Sequence, residues 1–162
     1  MNNVRKIILT RGIQGSGKST WARQWAEEDP EHRVRFNNDD IRNMLGKYWV
    51  PKREPLVTDM KKQFLKYTMI HNYDIVIDNM NLNPKEVDFF KEVIKEHNSW
   101  IGHPECLKTL QEYILEFKDF KTPLEVCIER DKKRENPIGV GVIIATYKRY
   151  RNFYEEEESD NC

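Results

Sequence analysis

The chain has 162 residues, enough for one domain, and its 27 basic and 27 acidic residues give a formal net charge of zero at pH 7. This balance excludes a protein held to nucleic acid by its overall charge, so any such footprint has to be local. No apolar run approaches the roughly 20 residues of a membrane span, and the first one is too short for a signal peptide, so we expect a cytoplasmic protein without a membrane partner.

Elements in the first half of the chain alternate between short apolar strands and helices. In chain order they are a strand over Lys6–Thr10, a helix over Ser16–Glu28, a strand over Arg33–Phe36, a helix through Leu45 and a helix that includes residues 56–71. The fourth element has Asn38 or Asp39 as its expected N-cap. The fifth is indicated by apolar residues at helical spacing, with Lys61, Lys62 and Lys66 off that face. Its predicted inner face is Leu56, Met60, Phe64, Tyr67 and His71.

The second half continues this alternation. In chain order it predicts a strand over Asp74–Asp78, a helix over Pro84–His97, a strand over Tyr113–Phe117, a helix from Thr122 to about Arg134 and a helix over Gly141–Tyr154. Strands alternating with helices predict a parallel sheet with helices on both faces. No repeat or linker indicates a second domain. We therefore expect one α/β domain over residues 1–154, followed by an acidic tail over residues 155–162.

A glycine-rich turn lies between the first strand and the first helix, at the sheet edge where such folds bind ligands. It matches the P-loop pattern GxxxxGK[ST], in which small residues let backbone N–H groups wrap phosphates and a helix N-terminus faces the same anion. Lys18 would reach the β- and γ-phosphates, Ser19 would bind Mg²⁺ and Thr20 would touch the α-phosphate. The predicted nucleotide-binding residues are Gly12, Gly15, Ser16, Gly17, Lys18, Ser19 and Thr20.

Carboxylates follow the second and third predicted strands. A kinase acting on a hydroxyl needs a carboxylate to accept its proton, and Asp39 is suited to that role. Arg42, one helical turn further on, faces the same way and could grip an acceptor phosphate. The alternative for this pair is a helix cap with an i, i+3 ion pair. Asp78 has the position of a Walker-B-like carboxylate, and its alternative is a turn residue that ends a strand.

Arg130 and Arg134 are spaced i, i+4 on the helix after Pro123. Taken alone, this spacing is more typical of a solvated charged face. In a phosphotransferase, however, arginines on a mobile lid neutralise the transferring phosphate. The second possibility predicts a helical lid over about residues 122–138.

Together these motifs identify a resemblance. The chain resembles the kinase domain of the bacteriophage polynucleotide kinase/phosphatase, within the family of P-loop polynucleotide 5′-hydroxyl kinases. The matching stretches lie in the family's order over roughly the first 150 residues. They are KIILT, GSGKSTWAR from Gly15 to Arg23, Asp39-Asp40-x-Arg42, Asp78-x-x-Asn81-Leu82-Asn83-Pro84, and Arg130-x-x-x-Arg134 with Pro137-Ile138.

The resemblance implies a P-loop kinase fold and ATP- and Mg²⁺-dependent transfer of the γ-phosphate to the 5′-OH end of DNA or RNA. It implies that Asp39 is the general base, that Arg42 binds the phosphate 3′ of the acceptor nucleoside, and that Asp78 lies in the acceptor site. Arg130 and Arg134 become lid residues on the ATP phosphates. The chain lacks the DxDxT-type motif of the family's phosphatase half, so we expect no 3′-phosphatase activity. Separate phosphatase and ligase proteins are possible partners.

Other interpretations stay open from the sequence. One is a P-loop kinase of a small metabolite or nucleoside, and another is a non-catalytic NTP-binding subunit. The segment over residues 98–112 is longer than the family pattern needs and could affect acceptor preference or oligomer contacts. Basic clusters interleaved with aromatic residues could track a nucleic-acid strand, although each is more typical of a solvated face. Those between the proposed base and Asp78 are Lys52-Arg53 and Lys61-Lys62-Lys66, with Tyr48, Trp49 and Tyr67 among them.

Overall fold

The structure, a computed structural model, describes residues 4–155. Its elements are, in chain order, β1 (Arg5–Arg11), α1 (Lys18–Glu27), β2 (Arg33–Phe36), α2 (Asn38–Met44), a 3₁₀ turn (Pro51–Arg53), α3 (Glu54–Ile70), β3 (Asp74–Ile77), α4 (Pro84–Ser99), β4 (Tyr113–Asp119), α5 (Leu124–Lys132), α6 (Val140–Arg149) and α7 (Arg151–Glu155). Within residues 4–155, none of the helices is long and apolar enough to cross a membrane.

The four strands form one parallel sheet in the order β2-β3-β1-β4. At the centre, Ile7 of β1 lies beside Ile75 of β3 on one side and Leu115 of β4 on the other. All strands therefore point the same way, and their carboxyl ends meet at a single edge of the sheet. The predicted parallel sheet is confirmed.

Residues of the central strands alternate between the two faces of the sheet, as the two-residue period of a strand requires. Ile7 and Leu9 pack with helices α3 and α4, in a cluster that includes Leu65, Met69 and Phe90. Their neighbour Ile8 points the other way, where it packs with Val76 and with Ala22 and Trp25 of α1. Both faces are thus covered by helices, which confirms the predicted layering.

The inner face of α3 differs in part from the predicted one, because Phe64 packs against the core as predicted but other residues do not. Leu56 and Tyr67 are exposed, and the buried residues are Val57, Leu65 and Met69. The helix is rotated because Lys61, assigned to solvent for its charge, packs inward: its ammonium lies 4.7 Å from the ring centroid of Phe89. An aliphatic stem and an aromatic partner allow this, and burial lowers the pKa of Lys61.

The predicted N-cap of α2 is also corrected. Asn37, not Asn38 or Asp39, precedes the helix in an extended conformation, and its side chain accepts a hydrogen bond from the backbone N–H of Asp40. The shift by one residue leaves Asp39 in the first turn of the helix with its side chain free for other contacts.

The last predicted helix is two helices, because the chain turns at Tyr150 between α6 and α7. The turn brings Tyr154 back to the body, where its hydroxyl accepts a hydrogen bond of 3.1 Å from the backbone N–H of Ile13. Residues 156–162, most of the predicted acidic tail, lie outside the described residues.

The segment before β4 lies at the amino edge of the sheet. The side-chain amide of Asn98 hydrogen-bonds both backbone groups of Tyr113, and Asn72 bonds the backbone of Thr109 and Gln111 in the same way. Tyr113 pairs with Arg5, where β1 begins. An effect of residues 98–112 on acceptor preference, one of the two expectations, therefore has no support from their position.

Candidate active site

A cleft of about 1680 Å³ opens at the carboxyl edge of the sheet. Pockets for one small ligand usually measure about 300–1,000 Å³, so this cleft has room for two. Its lining includes residues 14–21, 37–39, 42, 43, 48, 78–80, 130, 134 and 136–138. Every predicted site residue except Gly12 belongs to that lining.

Gly12 has a structural role behind the cleft. Its backbone N–H donates to the carbonyl of Met80 at 3.2 Å, and a Cβ at this position would lie 2.8 Å from the carbonyl oxygen of Phe120. The glycine thus lets β1 turn between the ends of β3 and β4, and its contact with a nucleotide stays a prediction.

The P-loop closes around the ammonium group of Lys18. Its Nζ donates to the carbonyl of Ile13 at 2.7 Å and to the hydroxyl of Ser16 at 3.3 Å. Both acceptors are uncharged, and burial lowers the pKa of Lys18 to about 8, with the charge of Asp78 opposing that change. A buried cation held only by neutral groups is suited to receive an anion.

The hydroxyl of Ser19 donates to Oδ1 of Asp78 at 3.1 Å, and both residues line the cleft. Asp78 is almost fully buried, and its other oxygen, Oδ2, accepts from Arg35 Nε at 2.9 Å. Arg35 also pairs with Asp40 of α2. Asp78 therefore lies at the junction between the P-loop and α2. The sequence did not predict a role for Arg35. Its only distinctive feature there is that it is a basic residue alternating with apolar ones in β2.

Asp39 and Arg42 form the i, i+3 ion pair that was the alternative interpretation of this motif, and they belong to a larger network. Arg42 Nη1 donates to Asp39 Oδ1 at 2.7 Å, while its Nε and Nη2 form a fork on Glu54 at 2.9 and 2.8 Å. The hydroxyl of Tyr48 also donates to Asp39 Oδ1, at 3.0 Å. Hydrogen bonding to Arg42 lowers the pKa of Glu54. Contacts of Tyr48 and Glu54 with this pair were not predicted, because Tyr48 lies in a loop and Glu54 begins the next helix.

Helix α5 packs directly on the P-loop. Arg130 Nη1 donates to the carbonyl of Gly15 at 3.2 Å, and Thr122 Oγ1 donates to that of Ser16 at 2.9 Å. Arg134 lines the cleft one turn further on, 3.8 Å from Asp131. Asp131 is buried and accepts from the backbone N–H groups of Ile138 and Gly139, which holds the turn after α5 in place. Movement of this segment as a lid stays a prediction.

Two buried side-chain oxygens, Gln14 Oε1 and Asn38 Oδ1, have no hydrogen-bond partner among the described residues. Both residues line the cleft. Buried polar atoms normally have partners, so these two are acceptors without a donor until a ligand enters. The amide of Asn38, the hydroxyl of Ser19 and the carboxylate of Asp78 are the hard oxygen groups that Mg²⁺ prefers, so the residues fit this ion.

Comparison with known proteins identifies the family and the fold of the chain. The family model of the AAA domain matches residues 7–156. A protein of Autographa californica nuclear polyhedrosis virus, named as a candidate bifunctional polynucleotide kinase/RNA ligase, is 24% identical over 164 aligned positions, which cover 90% of this chain and 21% of the viral protein. The chain thus spans about a fifth of that relative.

Two solved structures share the fold. A chain of the Pnkp1/Rnl/Hen1 RNA repair complex superposes with a TM-score of 0.76 at 22% identity, covering 96% of this chain and 47% of that one. A chain of a Pnkp1/Rnl/Hen1 complex gives a TM-score of 0.64 at 23% identity, covering 80% and 40%. Each of these chains is about twice the length of the present one.

Proposed function

The chain belongs to the AAA domain family, matched over residues 7–156. We propose that it is an ATP-dependent polynucleotide 5′-hydroxyl kinase. The observation that carries the proposal is the carboxylate of Asp39, which lines the same cleft as the P-loop and is held by Arg42. A nucleotide-binding module without catalysis would have no use for a carboxylate beside the γ-phosphate. The printed names of the viral relative and of the solved complexes support a polynucleotide as acceptor.

The donor half is the P-loop with its neighbours. Backbone N–H groups from Gly15 to Thr20 and the N-terminus of α1 would bind the phosphates of ATP, with Lys18 on the β- and γ-phosphates. Ser19, with Asp78 behind it, would hold Mg²⁺, which neutralises charge on the β- and γ-phosphates when bound. Arg130 and Arg134 would stabilise charge on the transferring group from the other side.

The acceptor half is Asp39 with Arg42. As the 5′-oxygen forms its bond to the γ-phosphorus, the bond to the β–γ bridging oxygen breaks and ADP leaves, while the 5′-OH proton passes to Asp39. Oδ1 of Asp39 already accepts from Arg42 and Tyr48, which leaves Oδ2 for that proton. Arg42 uses three of its five N–H donors on Asp39 and Glu54, so two remain for the phosphate 3′ of the acceptor nucleoside.

Transfer of labelled γ-phosphate from ATP to 5′-OH oligonucleotides tests the proposal. Single-stranded, nicked and duplex ends of DNA and RNA are offered, and labelling of at least one class is expected. No labelling of any of them would refute it. Phosphorylation of a nucleoside and of its 3′-phosphate is compared in parallel. A kinase of free nucleosides would not prefer the 3′-phosphate, whereas an enzyme in which Arg42 binds that phosphate should.

A ligase is the partner that these relatives suggest. The viral protein carries both a kinase and an RNA ligase in its name, and the solved complex is an RNA repair assembly. We propose that the 5′-phosphate made here is sealed by an RNA or DNA ligase. Ligation of a 5′-OH nick that depends on both proteins and on ATP would support this arrangement.

A further inference from the structure

Trp49 presents an aromatic ring to solvent beside the acceptor half of the cleft. The residue is 53% exposed, which is unusual for tryptophan, a side chain that is highly buried on average. By contrast, Trp21 and Trp25 stack on each other and pack under the sheet. Within residues 4–155, Trp49 is in none of the apolar clusters that form the core.

One face of the Trp49 ring is covered by the arginine of the acceptor site. The guanidinium carbon of Arg42 lies over the indole, 5.4 Å from the ring centroid. Arg42 is itself fixed by its fork on Glu54 and its bond to Asp39. The indole therefore lies beside the arginine that holds the proposed general base, while about half of Trp49 stays exposed to solvent.

The loop that carries Trp49 is braced on both sides. Before it, the hydroxyl of Tyr48 is bonded to Asp39. After it, the 3₁₀ turn begins at Pro51, and Arg53 Nη1 reaches back to the carbonyl of Leu45 at 2.7 Å. Arg53, which had suggested a basic cluster with Lys52, is thus used to close the loop. A ring fixed before binding loses little conformational freedom when a ligand packs on it.

We propose that Trp49, backed by Arg42, is a stacking platform for one of the two 5′-most nucleobases of the acceptor strand. Every base has a π-face, so such a platform binds single strands without reading their sequence. An unpaired base can turn onto the ring at little cost, whereas a paired base has to leave its duplex or present only its outer face, so the platform favours an unpaired 5′ end over a fully paired one. This inference rests on the proposed function and adds the form of the substrate to it.

The test combines substitution of Trp49 with removal of single nucleobases from the acceptor, and it measures the acceptor KM for each combination. Single-stranded 5′-OH oligonucleotides are made with a full set of bases, with the first nucleotide abasic, and with the second abasic. For the full oligonucleotide, Trp49→Ala should raise the acceptor KM about tenfold, the usual size of one stacking contact, with kcat within about twofold of the unsubstituted protein. For one of the two abasic oligonucleotides, the unsubstituted protein and Trp49→Ala should have the same KM. Trp49→Phe, which keeps an aromatic face, should recover most of the affinity.

Trp100→Ala is the matched control. Trp100 is 48% exposed, but it follows the carboxyl end of α4, at the opposite edge of the sheet from the cleft. Its KM values should equal those of the unsubstituted protein. The affinity of each variant for ATP shows that the fold and donor half are intact.

Two results would overturn the inference while leaving the proposed function in place. In one, the unsubstituted protein labels oligonucleotides and Trp49→Ala has an unchanged KM. In the other, Trp49→Ala raises KM equally on the full and on both abasic substrates, which would mean that the ring only supports Arg42. If the unsubstituted protein labels no oligonucleotide at all, the proposed function fails, and this inference fails with it.

Discussion

The hydroxyl of Ser19 and the carboxylate of Asp78 are joined by a hydrogen bond of 3.1 Å, although 59 positions separate them in the chain. The bond ties the proposed metal ligand in α1 to a buried carboxylate at the end of β3. Replacing Asp78 by Asn keeps the shape and removes the charge. We expect the Mg²⁺ concentration for half-maximal rate to rise about 10- to 100-fold, as is usual when support behind a metal ligand is lost.

Ser19→Thr is the control for that experiment, because it keeps the hydroxyl and should leave the Mg²⁺ dependence nearly unchanged. Thermal unfolding of Asp78→Asn is measured as well, since Arg35 loses a charged partner. An unchanged Mg²⁺ dependence, or an equal loss of ATP affinity without the metal, would contradict this role for Asp78.

Asp39→Asn tests the general base. The amide cannot take the 5′-OH proton, so the turnover rate should fall by about 10²- to 10⁴-fold, the usual contribution of such a group. The Kd for ATP should stay within about twofold, because the contacts of Asp39 are with Arg42 and Tyr48 and not with the P-loop. A parallel loss of ATP affinity would place Asp39 in the donor half instead.

Glu54→Gln tests whether Arg42 is positioned by its fork. Removing the charge weakens two hydrogen bonds to Arg42, so the acceptor KM should rise while the Kd for ATP does not change. If Glu54 acts only through Arg42, the double variant Glu54→Gln/Arg42→Ala should be no worse than Arg42→Ala alone. Additive losses in KM would show that Glu54 has a separate role.

The pH dependence of ATP binding should follow Lys18. Its pKa in the free protein is about 8, and a triphosphate beside the ammonium must raise that pKa because negative charge favours the protonated form. Above pH 8, binding then takes up a proton and the affinity falls, by up to about tenfold per pH unit; below about pH 7 this group is protonated in both states and has no effect. Calorimetry from pH 7 to 9.5 measures the trend.

Lys18→Met is the control for the pH series. It should bind ATP more weakly throughout and lose the decline above pH 8. If that decline persists in Lys18→Met, another group is responsible.

Gly15→Ala should destabilise the fold through a clash with α5. Gly15 has φ of 79°, and a Cβ there would lie 2.5 Å from the carbonyl oxygen of Cys127 in α5. Gly46→Ala is a matched control, since Gly46 has φ of 100° and nothing within 4 Å of its Cβ position. We expect Gly46→Ala to cost roughly 1–2 kcal/mol of unfolding free energy from backbone strain alone, and Gly15→Ala to cost more. If denaturant unfolding shows the same loss of unfolding free energy for both variants, α5 moves aside at little cost to make room for the Cβ of residue 15.

Sequence patterns were sufficient for the strands and the P-loop because both depend on local chemistry. The bounds of β2 are as predicted, and a parallel sheet follows from the alternation of elements. The predicted inner face of α3 was right at Phe64, which packs against the core, and wrong at Leu56 and Tyr67, which are exposed. The pattern treats Lys61 by its charge, whereas the structure uses its stem and the rings of Phe89 and Phe90. The break at Tyr150 was missed because it is fixed by a distant contact, between Tyr154 and Ile13.

In the candidate site, only residues that belong to a recognisable sequence motif could be predicted. Asp39, Arg42 and Lys18 stand in recognisable patterns, and the structure places them in one cleft. Arg35 and Glu54 carry no motif: their roles come from Asp78, 43 positions away from Arg35, and from Arg42, 12 positions before Glu54. Contacts across such distances depend on the fold itself.

The strand order has a consequence for the timing of assembly. β1 pairs with β3 and β4, never with β2, so the strand that carries the P-loop has no partner until Asp74 and then Tyr113 have been synthesised. The carbonyl of Arg11, just before the P-loop, is bonded only once Phe120 is present. On a ribosome that adds about 5–20 residues per second, the P-loop is therefore made before the strands that complete its surroundings. Until then β1 is an apolar strand with open edges, which can pair with other chains.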